Sequence, residues 1–148
     1  MKKIFTLVFI AFSLSFSLFA QNADIVSKII DSDNVVFADA SYICAVQMGS
    51  AEESADSNEV HETFEKELFG EVKHNAQSPV LLSDAAFMIA KAWNVKSSLM
   101  FRVFNNKRYA FSMLKADGII DINADPSKKI SGHEFLNMVS ACIDKYGE

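Results

Sequence analysis

The chain has 148 residues, half of them apolar, with 14 basic and 19 acidic side chains and a formal charge of −5. An acidic surface repels phosphate backbones, so no nucleic-acid partner is expected, and an anionic lipid surface is a poor match for the same reason.

Lys2 and Lys3 precede an uncharged run from Ile4 to Ala20 dominated by Phe, Leu, Ile and Val. This is the layout of a secretory signal peptide, with Ala20 as the small residue before a cleavage point at Gln21. The run is shorter than the ~20 residues a spanning helix needs, and Ser13, Ser15 and Ser17 weaken it, so removal is favoured over a retained anchor. No Cys follows it to carry a lipid, and no later stretch is long and apolar enough to span a membrane. Residues 1–20 are therefore predicted to be a signal peptide, 21–33 a short N-terminal segment with a helical turn around Ile25–Ile30, and 34–148 one helical domain. Without residues 1–20 the chain keeps 128 residues, and losing Lys2 and Lys3 takes its formal charge to −7. That length supports a hydrophobic core without staples.

A first helix is predicted over Phe37–Met48, because Phe37, Ala40, Ile43, Cys44 and Met48 recur at helical spacing and Gly49 follows as a stop. Residues 50–58 lack any large apolar side chain and read as a loop. A second helix, about Glu59–Phe69, carries Val60, Phe64 and Leu68 on one face and ends at Gly70. The next starts near Leu82, with Ser83 as its N-cap, Asp84 in the first turn and Trp93 in the core at its end. A short amphipathic piece, Leu99–Phe104, leads to the turn signal Asn105-Asn106, then a helix of about Arg108–Ala116 closed by Gly118. The last helix, Ile130–Lys145, opens with Ser131 and Glu134 as a capping box and turns Phe135, Leu136, Val139, Cys142 and Ile143 inward. Ile119–Ile122 alone reads as a short extended piece.

One layout recurs: Phe37-Ala38-Asp39-Ala40-Ser41-Tyr42-Ile43, Leu82-Ser83-Asp84-Ala85-Ala86-Phe87-Met88 and Ile130-Ser131-Gly132-His133-Glu134-Phe135-Leu136. The copies lie 45 and 48 residues apart, and Gly70 and Gly118 also lie 48 apart. Spacing of this order implies repeated helix-loop-helix units that bury their apolar faces against one another. At these residues the sequence resembles the S-layer homology repeat, which opens one helix with an Ile-Thr-Arg-Ala-Glu-Phe type motif and ends another in a Gly-Ile turn, here Asp117-Gly118-Ile119-Ile120. Residues 79–147 are also similar to a region of that type in small exported spirochaete envelope proteins. The runs carrying this likeness are Leu99–Phe104, Arg108-Tyr109-Ala110-Phe111, Ala124-Asp125-Pro126 and Ser131-Gly132. The resemblance implies an all-α, S-layer-homology-like bundle and an envelope setting. In that family the motif's Arg and Glu help hold anionic polysaccharide. Here Asp39, Asp84 and Gly132 take the Arg place, and the Glu remains only as Glu134, with Ser41 and Ala86 in the other copies. Without the cation an acidic glycan loses its main electrostatic attraction, so the glycan site is not carried over.

Motifs for chemistry are sparse. Counted from Asp121, a calcium loop would place Gly at position 6 and an acid at position 12, where Pro126 and Gly132 stand, so an Asx turn is expected instead. His61 and His133 lack the second His four residues on that a zincin needs, and His61, His74 and His133 read as surface residues. No nucleophile elbow and no glycine-rich phosphate loop occurs, so no catalytic residue, metal or cofactor is expected. Cys44 and Cys142 fit either a disulfide or two buried thiols. Arg102, Lys107 and Arg108 form a basic cluster beside Phe101, Phe104, Tyr109 and Phe111. Arg beside exposed aromatics has the composition of an interaction hot spot, whereas aromatics turned into the core would leave the cations as solvation. Arg102, Lys107, Arg108 and Tyr109 are accordingly the candidate binding residues, in a non-catalytic exported envelope protein that binds an envelope protein or polymer. An envelope-polymer hydrolase using two carboxylates and a self-associating structural subunit are the alternatives.

Overall fold

The computed structural model describes residues 23–147, so the predicted signal peptide lies outside the described residues. Among the described residues the chain is all-α and contains no strand. Residues 23–30 are helical (α1). They are followed by α2 (Phe37–Met48), α3 (Ser57–Phe69), α4 (Leu82–Ala92), α5 (Leu99–Phe104), α6 (Lys107–Ala116) and α7 (Gly132–Tyr146). Helix α2 packs on α3 and α4, α4 also packs on α6 and α7, and α5 lies on α6. No described helix is long and apolar enough to cross a membrane.

Local sequence explains most of the boundaries. Gly49 and Gly70 close α2 and α3 in the left-handed region, at φ 72° and 79°, where side chains other than Gly are disfavoured. Asp56 caps α3 by accepting from the Asn58 and Glu59 N–H groups, which starts that helix two residues before its predicted Glu59. Asn106 caps α6 through the Tyr109 N–H, so α6 begins at Lys107 rather than Arg108. Ser131 and Glu134 form the predicted capping box, and α7 starts at Gly132, two residues after Ile130.

Helices α2 and α4 have no side-chain cap, and Ser83 is the second residue of α4 rather than its N-cap. Their free first-turn N–H groups are satisfied from elsewhere in the chain. Phe37 and Ala38 donate to the Ser78 and Ala76 carbonyls, and Leu82 and Ser83 donate to Lys128 and Pro126. Gly132 at the start of α7 donates to Ser32. Each helix start is thus capped by the loop that leads into another one.

The same three entries are tied in a closed cycle. Val35 N–H donates to the Ile130 carbonyl (2.9 Å), Ile130 N–H to Val80 (3.1 Å) and Val80 N–H to Val35 (2.8 Å). All three residues are buried, so each bond satisfies groups that would cost about 1–3 kcal/mol if left unmade. Ile130 therefore occupies the place of Val35 and Val80, not of Phe37 and Leu82, and the spacings become 45 and 50 residues. In this register Glu134 corresponds to Asp39 and Asp84, the third residue of each helix, rather than to Ser41 and Ala86. Each of these acids meets a lysine: Asp39 with Lys28 (2.8 Å), Asp84 with Lys107 (3.1 Å) and Glu134 with Lys128.

The core runs through all seven helices. Helix α4 is buried almost all round, and Tyr42, Phe64, Phe135, Met88, Ile89 and Leu114 are fully covered. Removing such side chains from water contributes about 1.5–3 kcal/mol each. Trp93 is buried as expected, but Ile143 is half exposed, and Met138 takes the inward place on α7. Ile119–Ile122 forms no strand: Ile120 enters the core and Ile122 stands in solvent. Cys44 and Cys142 are both buried free thiols. Burial pushes the Cys44 thiol up, and Cys142 up to about 12.

Candidate functional site

Helix α5 is held to the domain by a single buried side chain, Phe101, which meets Phe87 edge-on with ring centroids 6.2 Å apart. Ser98 caps its start through the Phe101 N–H. Asn105 ends it in the left-handed region at φ 44°, which Asn tolerates better than most residues. Residues 99, 100, 103 and 104 then share the opposite face of the helix. Leu99 is 66% exposed, Met100 52%, Val103 65% and Phe104 55%. Four contiguous apolar side chains in solvent form a patch of the kind that marks interaction surfaces rather than the isolated exposed Leu of any protein.

The candidate binding residues surround this patch but do not act alike. Arg102 and Arg108 are exposed, and no carboxylate among the described residues lies within ion-pair distance of either. Tyr109 is half-buried and stacks on Phe104 with centroids 5.1 Å apart. Lys107 is committed internally: its ammonium meets the buried Asp84 carboxylate, joining α6 to α4. Of the neighbouring aromatics, Phe101 and Phe111 belong to the core and Phe104 to the surface. Leu99, Met100 and Val103 are the site residues that the sequence reading missed. Their i, i+1, i+4, i+5 spacing marks a stripe but does not say which face of a six-residue helix turns outward.

Grooves open on both sides of α5. One, about 520 Å³, is lined by Lys91, Lys96 and Arg102 with Asn94 and Asn105. The other, about 490 Å³, is lined chiefly by Leu99, Met100, Tyr109 and Met113 and reaches Ser97 and Asp117. Asp117 closes its far end as a clamp, accepting from the Ser97 hydroxyl (2.5 Å) and the Tyr146 hydroxyl, with Lys145 nearby. Burial opposes ionisation of Asp117, but these hydroxyls and the Lys145 ammonium outweigh it and hold the carboxyl below its ordinary 3.8. Burial and the bond to Asp117 push the Tyr146 hydroxyl up to about 12. A depressed folded-state value stabilises the protein above the unfolded value and loses that contribution as pH falls through the folded one. Asp117→Asn is therefore expected to flatten the fall in stability below about pH 4, measured by urea unfolding across that range. Parallel wild-type and variant curves would remove Asp117 from the acid response.

Comparison with models of known protein families, with curated proteins and with solved structures finds no match.

A second polar cluster lies inside the fold. The His61 Nε2–H donates to the His74 carbonyl (3.0 Å), which leaves Nδ1 to meet the Ser41 hydroxyl at 3.0 Å. The Glu65 carboxylate accepts from the Lys73 and His74 backbone N–H groups and lies 3.1 Å from His74 Nδ1. His74 stacks on Phe37 with centroids 4.2 Å apart. Ser41, His61 and Glu65 are all buried, so a Ser–His pair that might suggest a nucleophile has no opening to a substrate, and the cluster fastens loop 70–78 to α2 and α3. His61 is thus a core residue and His74 half-buried; only His133 is on the surface as predicted. Asp121 forms the predicted Asx turn by accepting from the Asn123 N–H. Among the described residues no group of three His, Cys, Asp or Glu side chains is placed to hold a metal ion.

Proposed function

We propose that this chain is a non-catalytic, exported cell-envelope protein, built from three copies of an S-layer-homology-like unit, that binds an envelope protein or polymer through the α5–α6 surface. The observation that carries the reading is the exposure of Leu99, Met100, Val103 and Phe104 near the guanidinium groups of Arg102 and Arg108, which pair with no carboxylate among the described residues. Exposed apolar side chains gain from being covered, and Arg next to aromatic residues is the composition found at energetic centres of interfaces. Support for three copies comes from the closed cycle of helix entries and from the matching acid at the third position of α2, α4 and α7. The non-catalytic reading is supported by the most deeply placed carboxylates, Asp39, Glu65 and Asp84, which are all engaged by internal donors.

The test is retention of the chain without residues 1–20 by isolated envelope fractions. Retention is expected to fall at least about tenfold, or about 1.4 kcal/mol, in the Leu99→Ser/Phe104→Ser double variant and in Arg102→Ala/Arg108→Ala, with unfolding midpoints kept. Equal retention of all three proteins would overturn the assignment. Light scattering of the same proteins separates a monomeric binder from a self-associating subunit, the latter showing a mass that drops in the double variant.

A further inference from the structure

We infer that the partner element seated on α5 is an acidic amphipathic helix of another protein. The inference rests on the binding role proposed above and names the chemistry of the occupant. Across the short axis of α5 the surface changes character. On one side lie Lys91, Lys96 and Arg102, and on the other Leu99, Met100, Tyr109 and Met113. A ligand that covers both grooves must offer carboxylates along one edge and aliphatic or aromatic side chains along the other. The basic edge stands out in a chain of formal charge −5: among the described residues its Lys96 and Arg102 have no acidic neighbour within ion-pair distance. Their charge is therefore available to a partner, and opposite charge there speeds encounter and fixes register.

The form of the occupant follows from what the surface lacks. Addition of a strand needs an open sheet edge, and the described residues contain no sheet. Along the apolar edge, Leu99, Met100 and Met113 have no hydrogen bonds to give a polysaccharide, whose hydroxyls would lose water there without replacement. Helix-in-groove docking matches one basic and one apolar edge running side by side, and the two methionines at the apolar edge, Met100 and Met113, suit it because their flexible thioethers adapt to a partner's ridges.

The experiment uses a display library of helical peptides of about four turns, selected against the chain without residues 1–20 and counter-selected against Leu99→Ser/Phe104→Ser. Enriched sequences are expected to carry apolar residues at i, i+3, i+4 and i+7 flanked by Asp or Glu. Their binding is expected to weaken at least about tenfold on Lys96→Ala/Arg102→Ala and to fall with salt. Enrichment of basic or uncharged peptides, or no enrichment that depends on α5, would overturn the inference. So would α5-dependent binding to phosphatidylglycerol-containing vesicles in place of peptides, which would assign the surface to a membrane. If envelope retention depends on α5 while acidic helices fail, the binding role stands and only the occupant is wrong; if retention is independent of α5, both fall.

Discussion

Glu65→Ala is expected to lower stability by about 3–5 kcal/mol, the usual cost of removing one partner of a buried charged network. In a domain of this size that moves the thermal midpoint down by roughly 10–20 °C. The carboxylate is fully buried and is the acceptor for two consecutive backbone N–H groups, those of Lys73 and His74, and lies beside His74 Nδ1. Truncation takes away the oxygen atoms that satisfy these donors. The damage reaches α2, because His74 stacks on Phe37 and its carbonyl orients His61, which in turn meets Ser41. Glu65→Gln keeps one oxygen for the backbone donors and is expected to cost less than half as much. Thermal unfolding of the two variants followed by circular dichroism decides the matter. A loss under about 1 kcal/mol for the alanine variant would show that loop 70–78 is held by other contacts.

Gly132→Ala is expected to release α1 from the body of the protein. A Cβ at position 132 would lie 1.6 Å from the Ile29 carbonyl oxygen and 2.6 Å from its carbon. Both are backbone atoms, so no change of rotamer relieves the overlap, and α1 or the start of α7 has to move. Movement breaks the bond from Gly132 N–H to Ser32 and lifts Ile29 out of the core, where it is fully buried. Overpacking of this kind costs about 1–3 kcal/mol, and more when backbone is displaced. The local signature is faster hydrogen exchange over residues 23–31 and new proteolytic cleavage between α1 and α2. Gly49→Ala is the matched control: no atom lies within 4 Å of its Cβ, and only the left-handed backbone is penalised, by about 1 kcal/mol. Exchange in Gly132→Ala as slow as in the wild type would disprove the close approach.

Much of the architecture is legible in the chain because its punctuation is local. Gly49 and Gly70, the Asn105-Asn106 turn and the Ser131–Glu134 pair mark helix ends through chemistry within a few residues, and α2 and α5 have the predicted bounds. What escapes is non-local. Ser83 looks like a cap, but Leu82 and Ser83 are served by carbonyls more than 40 residues away. His61 reads as a surface residue on α3, and Glu65 carries no signal at all, since their reason for burial is loop 70–78, which folds back over them. The third copy of the repeated layout slips by two residues because Gly132 has no large side chain to hold the register against Phe37 and Leu82. At the candidate site, Arg102, Arg108 and Tyr109 are visible as a cluster. That Lys107 is spoken for requires knowing that Asp84 faces it across two helices.

The cycle formed by Val35, Val80 and Ile130 has a consequence for size. In an open solenoid the last unit always presents a face that a further unit can cover, so such proteins need special terminal pieces to stop growing. Here the entries to α2, α4 and α7 each give one bond and receive one, and the circuit of these three is closed. A further helix entry could join this circuit only by breaking a bond already made. A partner that leaves the circuit intact meets the outer sides of the helices, where α5 sets Leu99, Met100, Val103 and Phe104 in solvent.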